Sequence, residues 1–115
     1  MSTTESVLDH HLAMFGERDL DGILSDYAED AVLVTQDGVL RGHDEIRGLY
    51  EELFPEFAAD EAMFSLDHQT VEGEYAYIVW HAETPETVYE FASDTFVVRD
   101  GEIVAQTLAA DTAAK

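Results

Sequence analysis

The amino-acid sequence predicts an α+β domain: helices packed on one face of a bent, mainly antiparallel sheet. Three observations carry that prediction. Apolar residues recur at helical spacing in three stretches ahead of Pro55, whereas from Met63 onward the composition is continuously β-like. Turn signals at Gly73, Thr84-Pro85 and Asp100-Gly101 divide that second half into four strands. Helices gathered ahead of an antiparallel meander leave one sheet face to be covered, and layer packing puts the helices there. At 115 residues the chain suffices for one domain with its own core, and residues 1–115 are expected to form that single domain.

Each element follows from local pattern. Ser2 to Glu5 has the S-x-x-E form of a capping box. Val7, Leu8, His11, Leu12 and Phe15 then share one helix face, predicting a helix from about Thr4 to Glu17 with His11 inward and His10 to the side. Asp19 is placed to cap a short second helix whose apolar stripe is Leu20, Ile23, Leu24 and Tyr27. Residues 30–35 shift to strand composition, Gln36-Asp37-Gly38 turns, and Val39-Leu40-Arg41 reads as a short extended return. Ile46, Leu49, Tyr50, Leu53 and Phe54 mark a third helix from about Gly42, which Pro55 is expected to end, with Phe57 packing back. Strands are expected over 64–71, 75–83, 87–99 and 102–109, the last pair joined at Asp100-Gly101, where Gly accepts the positive φ of a tight hairpin.

Composition excludes whole classes of function. The chain has no cysteine, so disulfides, thiolate metal sites and a cysteine nucleophile are absent. Its 26 Asp and Glu against 5 Lys and Arg give a formal net charge of −21, the wrong sign for a nucleic-acid partner. No apolar run reaches bilayer length and residues 1–6 lack a secretory pattern, so neither membrane insertion nor export is expected and the protein is placed in the cytoplasm. The acidic residues are spread along the chain, and the only lysine is Lys115. Such self-repulsion is relieved by screening, which points to a salt-rich, halophilic cytoplasm with an acidic proteome.

Three segments, Asp19-Leu-Asp-Gly-Ile-Leu-Ser-Asp-Tyr-Ala-Glu-Asp-Ala-Val, Leu40-Arg-Gly-His-Asp-Glu-Ile and Asp94-Thr-Phe-Val-Val-Arg-Asp-Gly-Glu-Ile, resemble the SnoaL-like branch of the nuclear transport factor 2-like superfamily. The resemblance covers nearly the whole chain. It implies a cone-shaped, cystatin-like fold in which a strongly bent sheet wraps three helices and a pocket opens into the cone. It also implies dimerisation through the convex sheet face. The superfamily includes ketosteroid isomerase, polyketide cyclases, epoxide hydrolases, dehydratases and proteins with no chemistry, so the fold does not settle the function. By motif spacing, the isomerase's oxyanion-hole tyrosine falls on His11 and its protonated aspartic acid on Asp94, allowing one residue in the turn. Its catalytic base falls on Thr35, which cannot act as that base.

The candidate site is built around Asp94, a carboxylate in a run otherwise suited to a buried sheet. It either faces the pocket beside Phe96, where desolvation would raise its pKa, or closes a sheet edge. His11 is either a core histidine or its partner, and a His11–Asp94 pair would fix the imidazole tautomer and make His11 the better base. His81 and Trp80 are strand neighbours and face opposite sides; the phase that turns Val79 and His81 inward is preferred, with Trp80 on the convex face. Tyr27, Tyr50 and Phe54 are expected as core or pocket wall, with Thr35 and Gln106 as polar contacts. No H-E-x-x-H pair, phosphate loop or nucleophile elbow occurs, and a pocket without metal or cofactor is expected. A facial triad of His11, His81 and Asp94 is the one metal arrangement left open.

Three functions fit these residues. One is a cofactor-independent acid/base catalyst, of isomerase, cyclase or dehydratase type, on a small apolar carbonyl compound. The others are a non-catalytic small-ligand binder and a structural dimer joined through the sheet face. The charge yields a prediction of its own. The unfolding midpoint should rise from low to molar salt as repulsion is screened, and a flat response would contradict adaptation to high salt.

Overall fold

A computed structural model describes residues 3–115. The proposed capping box depends on Ser2 and so lies outside the described residues. Three helices, α1 (Thr3–Glu17), α2 (Leu20–Leu24) and α3 (Gly42–Phe57), pack on a six-stranded sheet. Its strands are β1 (Tyr27–Thr35), β2 (Gly38–Arg41), β3 (Met63–Glu72), β4 (Tyr75–Glu83), β5 (Thr87–Arg99) and β6 (Glu102–Ala114). They lie in the order β2-β1-β6-β5-β4-β3. Only β1 and β6 pair in parallel, so the sheet is mainly antiparallel and its second half is the expected meander.

The ends of the elements have local causes. Arg18 adopts a left-handed φ of 54°, and the amides of Arg18 and Asp19 bond back to Phe15 and Met14, closing α1 in a Schellman motif. Asp19 then caps α2, its carboxylate accepting the Gly22 amide at 2.9 Å. The β5–β6 hairpin turns on Asp100 and Gly101 with φ of 52° and 80°, the doubly positive geometry of a two-residue hairpin loop.

Three expectations about elements are corrected. Tyr27 is not on the second helix. The Asp26 carbonyl accepts the Ile103 amide at 2.7 Å and Tyr27 pairs with Ile103, so sheet pairing takes the chain out of α2 after Leu24. Pro55 does not end α3, which runs to Phe57. The Ala58 amide still reaches the Phe54 carbonyl at 2.9 Å, and burial of both Phe54 and Phe57 holds the last turn in place. Strand β6 continues to Ala114 because β5 is 13 residues long and supplies pairing partners as far as Thr87↔Ala114.

Alternation along the strands defines two unlike faces. Ala76, Ile78, Trp80 and Ala82 of β4, with Ala92, Asp94, Phe96 and Val98 of β5, point at the helices. There they meet Leu8, Ile23, Leu33, Ile46 and Ile103, all essentially inaccessible. Register shifts at Leu66/His68, Trp80/Ala82, Tyr89/Phe91 and Val97/Val98 bend the sheet around this core. The opposite face carries Tyr75, Tyr77 and Val79 beside Ser93, Thr95 and Val97, then Ala105, Thr107 and Ala109. Tyr75 and Tyr77 are 56% and 40% exposed. None of these nine positions is a carboxylate, in a chain that has 26.

Candidate functional site

Between the helices and the inner sheet face lies a cavity of about 110 Å³. Its wall is largely apolar, with Phe15, Leu49, Leu53, Ile78, Phe96 and Leu108 among its residues. Besides Tyr89, whose hydroxyl is bonded to Glu56, five polar side chains interrupt it. His11 comes from α1, Tyr50 from α3, Trp80 from β4, Asp94 from β5 and Gln106 from β6. A second, wider groove of about 650 Å³ adjoins it and carries Asp37, Asp44, Glu45 and Glu52; Leu49, Tyr89, Leu108 and Ala110 belong to both.

The sheet register brings the polar groups together. Ala92 stands opposite Trp80, and Gln106 stands opposite Phe96, so Trp80 and Gln106 are each one diagonal step from Asp94 on the same face. The Trp80 indole N–H donates to Asp94 Oδ1 at 2.7 Å, and Gln106 Nε2 donates to Asp94 Oδ2 at 2.7 Å. Asp94 is only 5% exposed. Burial pushes its pKa above the usual carboxylate range, while the bonds from Trp80 and Gln106 and the proximity of His11 oppose the rise. Each oxygen accepts one N–H, which leaves lone pairs for a ligand.

The remaining polar atoms continue from Gln106. The Tyr27 hydroxyl donates to Gln106 Oε1 and lies 2.6 Å from the Tyr50 hydroxyl, which lies 3.4 Å from His11 Nε2. Burial raises the pKa of both tyrosines well above the ordinary phenolic value. On its other side His11 Nδ1 faces Asp26 Oδ2 at 3.6 Å, and Asp26 Oδ1 holds His10 Nδ1 at 2.6 Å. Both His11 and Asp26 are buried.

Several expected site residues are where the sequence places them. His11, Asp94, Tyr50, Phe96 and Gln106 line the cavity. Tyr27 is buried behind it as a link between Tyr50 and Gln106. Phe54 stands in a second layer, its ring 5.5 Å from Tyr50 and 5.7 Å from Phe15.

Three expectations are corrected. The strand phase is the reverse of the preferred one: Trp80 points inward and Tyr77, Val79 and His81 outward. The reason is polar satisfaction as well as shape, because inward Trp80 finds an acceptor in Asp94 while outward His81 bonds Asp67 at 2.8 Å. Thr35 is not in the inner cavity. Its hydroxyl donates to the Gly38 carbonyl and accepts the Asp37 amide, holding the β1–β2 turn beside the outer groove. The direct His11–Asp94 pair is replaced by two separate sets of partners, Tyr50 and Asp26 for His11, Trp80 and Gln106 for Asp94.

With His81 outside, His11, His81 and Asp94 do not converge. Among the described residues no group of three or more His, Asp or Glu is placed to hold a metal ion.

Asp26 is the functional candidate that sequence reasoning missed. One carboxylate among 26 carries no signal of burial. Its only mark is its position directly between the second helix and Tyr27, inside the longest segment of the family resemblance. A second missed cluster joins α3 to the β4–β5 turn: Glu56 accepts from Thr84 and from Tyr89, whose hydroxyl pKa is pushed up to about 12, chiefly by burial and then by Glu56.

The SnoaL-like domain family matches residues 8–106. Similar solved structures include a Kribbella flavida protein described provisionally as a ketosteroid isomerase. It is 12% identical with a TM-score of 0.79, over 98% of this chain and 81% of that one. A Burkholderia pseudomallei nuclear transport factor 2-like protein of unknown function is 20% identical with a TM-score of 0.79, covering 96% and 92%. TerC, crystallised with polyporic acid, is 17% identical with a TM-score of 0.77, also covering 96% and 92%. At these identities the likeness concerns the fold alone. No curated protein matches the chain significantly. No described helix is long and apolar enough to cross a membrane.

Trp80 is the sole tryptophan and is bonded to Asp94, so its emission should report that carboxyl directly. Folded Asp94 keeps its proton to higher pH than the unfolded chain does. The stability this contributes is fully present below the unfolded carboxylate pKa and is lost as pH rises through the folded one. Trp80 fluorescence should therefore show a transition above the ordinary value of about 3.9. The transition should vanish in Asp94→Asn, whose thermal midpoint at neutral pH should equal or exceed that of the parent. A transition at the ordinary value would contradict burial of the charge.

Proposed function

The chain belongs to the SnoaL-like domain family, and from that premise we propose that it is a cofactor-independent acid/base catalyst acting on a small, largely apolar carbonyl compound. The observation that carries the proposal is Asp94: a buried carboxyl in an apolar cavity, braced by two N–H donors and with acceptor capacity left over. A raised pKa brings a carboxylate closer to the working pH of a general base. Asp94 takes a proton from the carbon next to the carbonyl, the electron pair moves onto the carbonyl oxygen, and Asp94 returns the proton to the same or a conjugated carbon. His11 and Tyr50 also line the cavity, and one of them must turn a proton from their mutual contact toward that oxygen to stabilise it. Phe96 and the aliphatic residues exclude water. The cavity is smaller than the roughly 150 Å³ that accommodates benzene in an engineered apolar core. A short chain fills it, and a six-membered ring such as that of cyclohexanone extends into the adjoining groove.

A second reading, binding without turnover, is favoured by one observation. Thr35, at the position the isomerase resemblance assigns to the base, is bound up in a turn. Cyclohexanone in deuterated buffer separates the readings. The catalyst reading expects faster deuterium exchange next to the carbonyl, falling at least about 100-fold in Asp94→Asn, as loss of a general base does. Trp80 quenching by cyclohexanone without exchange would favour the binder.

The partner proposed is a second copy of the chain, docked through the outer sheet face. Two copies each carrying −21 repel everywhere except where carboxylates are missing, and the nine central outer positions form such a patch, centred on Tyr75 and Tyr77. Native mass spectrometry should show a dimer that Tyr77→Glu converts to monomer; a monomeric parent would contradict this interface.

A further inference from the structure

We infer that His11, Tyr50, Tyr27, Gln106 and Asp94 form one directed hydrogen-bond chain with the Asp26 carboxylate facing its His11 end at 3.6 Å, in which Tyr27 and Gln106 are positioning residues that couple the protonation of His11 to that of Asp94. The inference stands on the hydrogen-bond geometry and does not depend on turnover in the cavity.

The protons available along these contacts set the direction of each bond. Gln106 Nε2 donates to Asp94, so Gln106 Oε1 is the acceptor for Tyr27. Tyr27 spends its only proton there, so across the 2.6 Å contact the donor must be Tyr50. Tyr50 has then spent its own proton, so across the 3.4 Å contact the donor must be His11 Nε2. That leaves His11 Nδ1, which faces Asp26 Oδ2 at 3.6 Å, and both atoms are otherwise buried without a partner. A bare ring nitrogen against a carboxylate would set two acceptors together. A protonated one makes them complementary, and a small shift closes the gap toward the roughly 2.7–2.9 Å of a charge-assisted bond. In this setting His11 carries protons on both nitrogens, while Asp94 and Asp26 are carboxylates.

The same atoms allow a reversed setting when an Asp94 proton points at Gln106 and not into the cavity. If Asp94 carries a proton on Oδ2, it donates to Gln106 only when the amide is turned over. Gln106 then donates to Tyr27, Tyr27 to Tyr50 and Tyr50 to His11 Nε2, which leaves Nδ1–H for Asp26. The total proton count is identical. One N–H bond is lost at His11 Nε2, one O–H bond is gained at Asp94 Oδ2, and the intervening groups only reverse direction. Neutralising Asp94 therefore neutralises His11. The titratable groups around His11 are Asp26 from the α2–β1 junction, His10 on its own helix, Tyr50 on α3, Tyr27 on β1 and Asp94 on β5.

Imidazole ¹⁵N resonances of His11 at neutral pH test the chain. The parent protein should show both ring nitrogens protonated; a singly protonated His11 there would overturn the inference, and this needs no variant. Asp94→Asn fixes the reversed setting, since its amide can donate to Gln106, and should convert His11 to the neutral Nδ1–H form. In a Gln106→Met background, where the chain is cut, Asp94→Asn should leave the His11 resonances unmoved. An unchanged His11 in Asp94→Asn alone, or the same conversion with and without Gln106, would overturn it, the latter because the coupling would then run through space.

Discussion

The structure turns on one costly placement, a carboxyl buried in an apolar cavity. An ionised group removed from water needs its solvation replaced by the protein. For Asp94 that replacement is the Trp80 indole and the Gln106 amide. The requirement propagates outward. It is met by the phase of β4 that turns Trp80 inward, which brings the indole N–H to the carboxyl. It makes a polar residue on β6 necessary in a wall that is otherwise apolar. It also explains why Tyr27 and Tyr50, both buried, stand beside Gln106, since each of their hydroxyls must find a partner too.

The second organising constraint is charge. With −21 on 115 residues, almost every exposed segment repels its neighbours, and the core must hold against that repulsion. The few cations do little individually. The Arg99–Glu74 and Arg47–Asp21 pairs are at the surface, where such contacts contribute at most about 1 kcal/mol each. Against this background the nine central positions on the outer face of β4, β5 and β6 stand out as free of carboxylates, while the groove beside the cavity collects four of them. A ligand entering by that groove meets negative potential first, which disfavours anions and leaves neutral or cationic molecules. The polar economy of the inner cavity agrees with a neutral one.

Much of the fold was legible because it rests on local rules. Helical periodicity located α1 and α3, Asp19 announced the start of α2, and Asp100-Gly101 announced its hairpin. The misreadings share a cause, the override of local pattern by long-range pairing. Tyr27 has helical spacing from Ile23 and Leu24, yet Ile103, distant in sequence, draws it into the sheet. Pro55 is a helix breaker by chemistry, yet two buried phenylalanines carry the helix past it. The strand phase of β4 was ambiguous because both faces carry large side chains, Tyr77, Val79 and His81 on one and Ile78 and Trp80 on the other, so alternation alone did not decide. Only the partner across the sheet, Asp94, decides it. His11, Asp94, Tyr50, Phe96 and Gln106 were expected at a pocket from pattern and resemblance together, and they line the cavity. Asp26 was not, because burial of one acid among many leaves no trace in composition.

A buried acceptor with spare lone pairs, a nearby imidazole and a dry apolar wall suit proton transfer on a small carbonyl compound, and they equally suit tight holding of one. What separates this protein from a passive cavity is that its polar groups have a direction. Neutron diffraction from a deuterated crystal sees that direction most plainly. The account predicts no deuteron on Asp94, deuterons on both nitrogens of His11, and the Gln106 amide deuterons turned toward Asp94. A deuteron on Asp94, or a singly protonated His11, would contradict it.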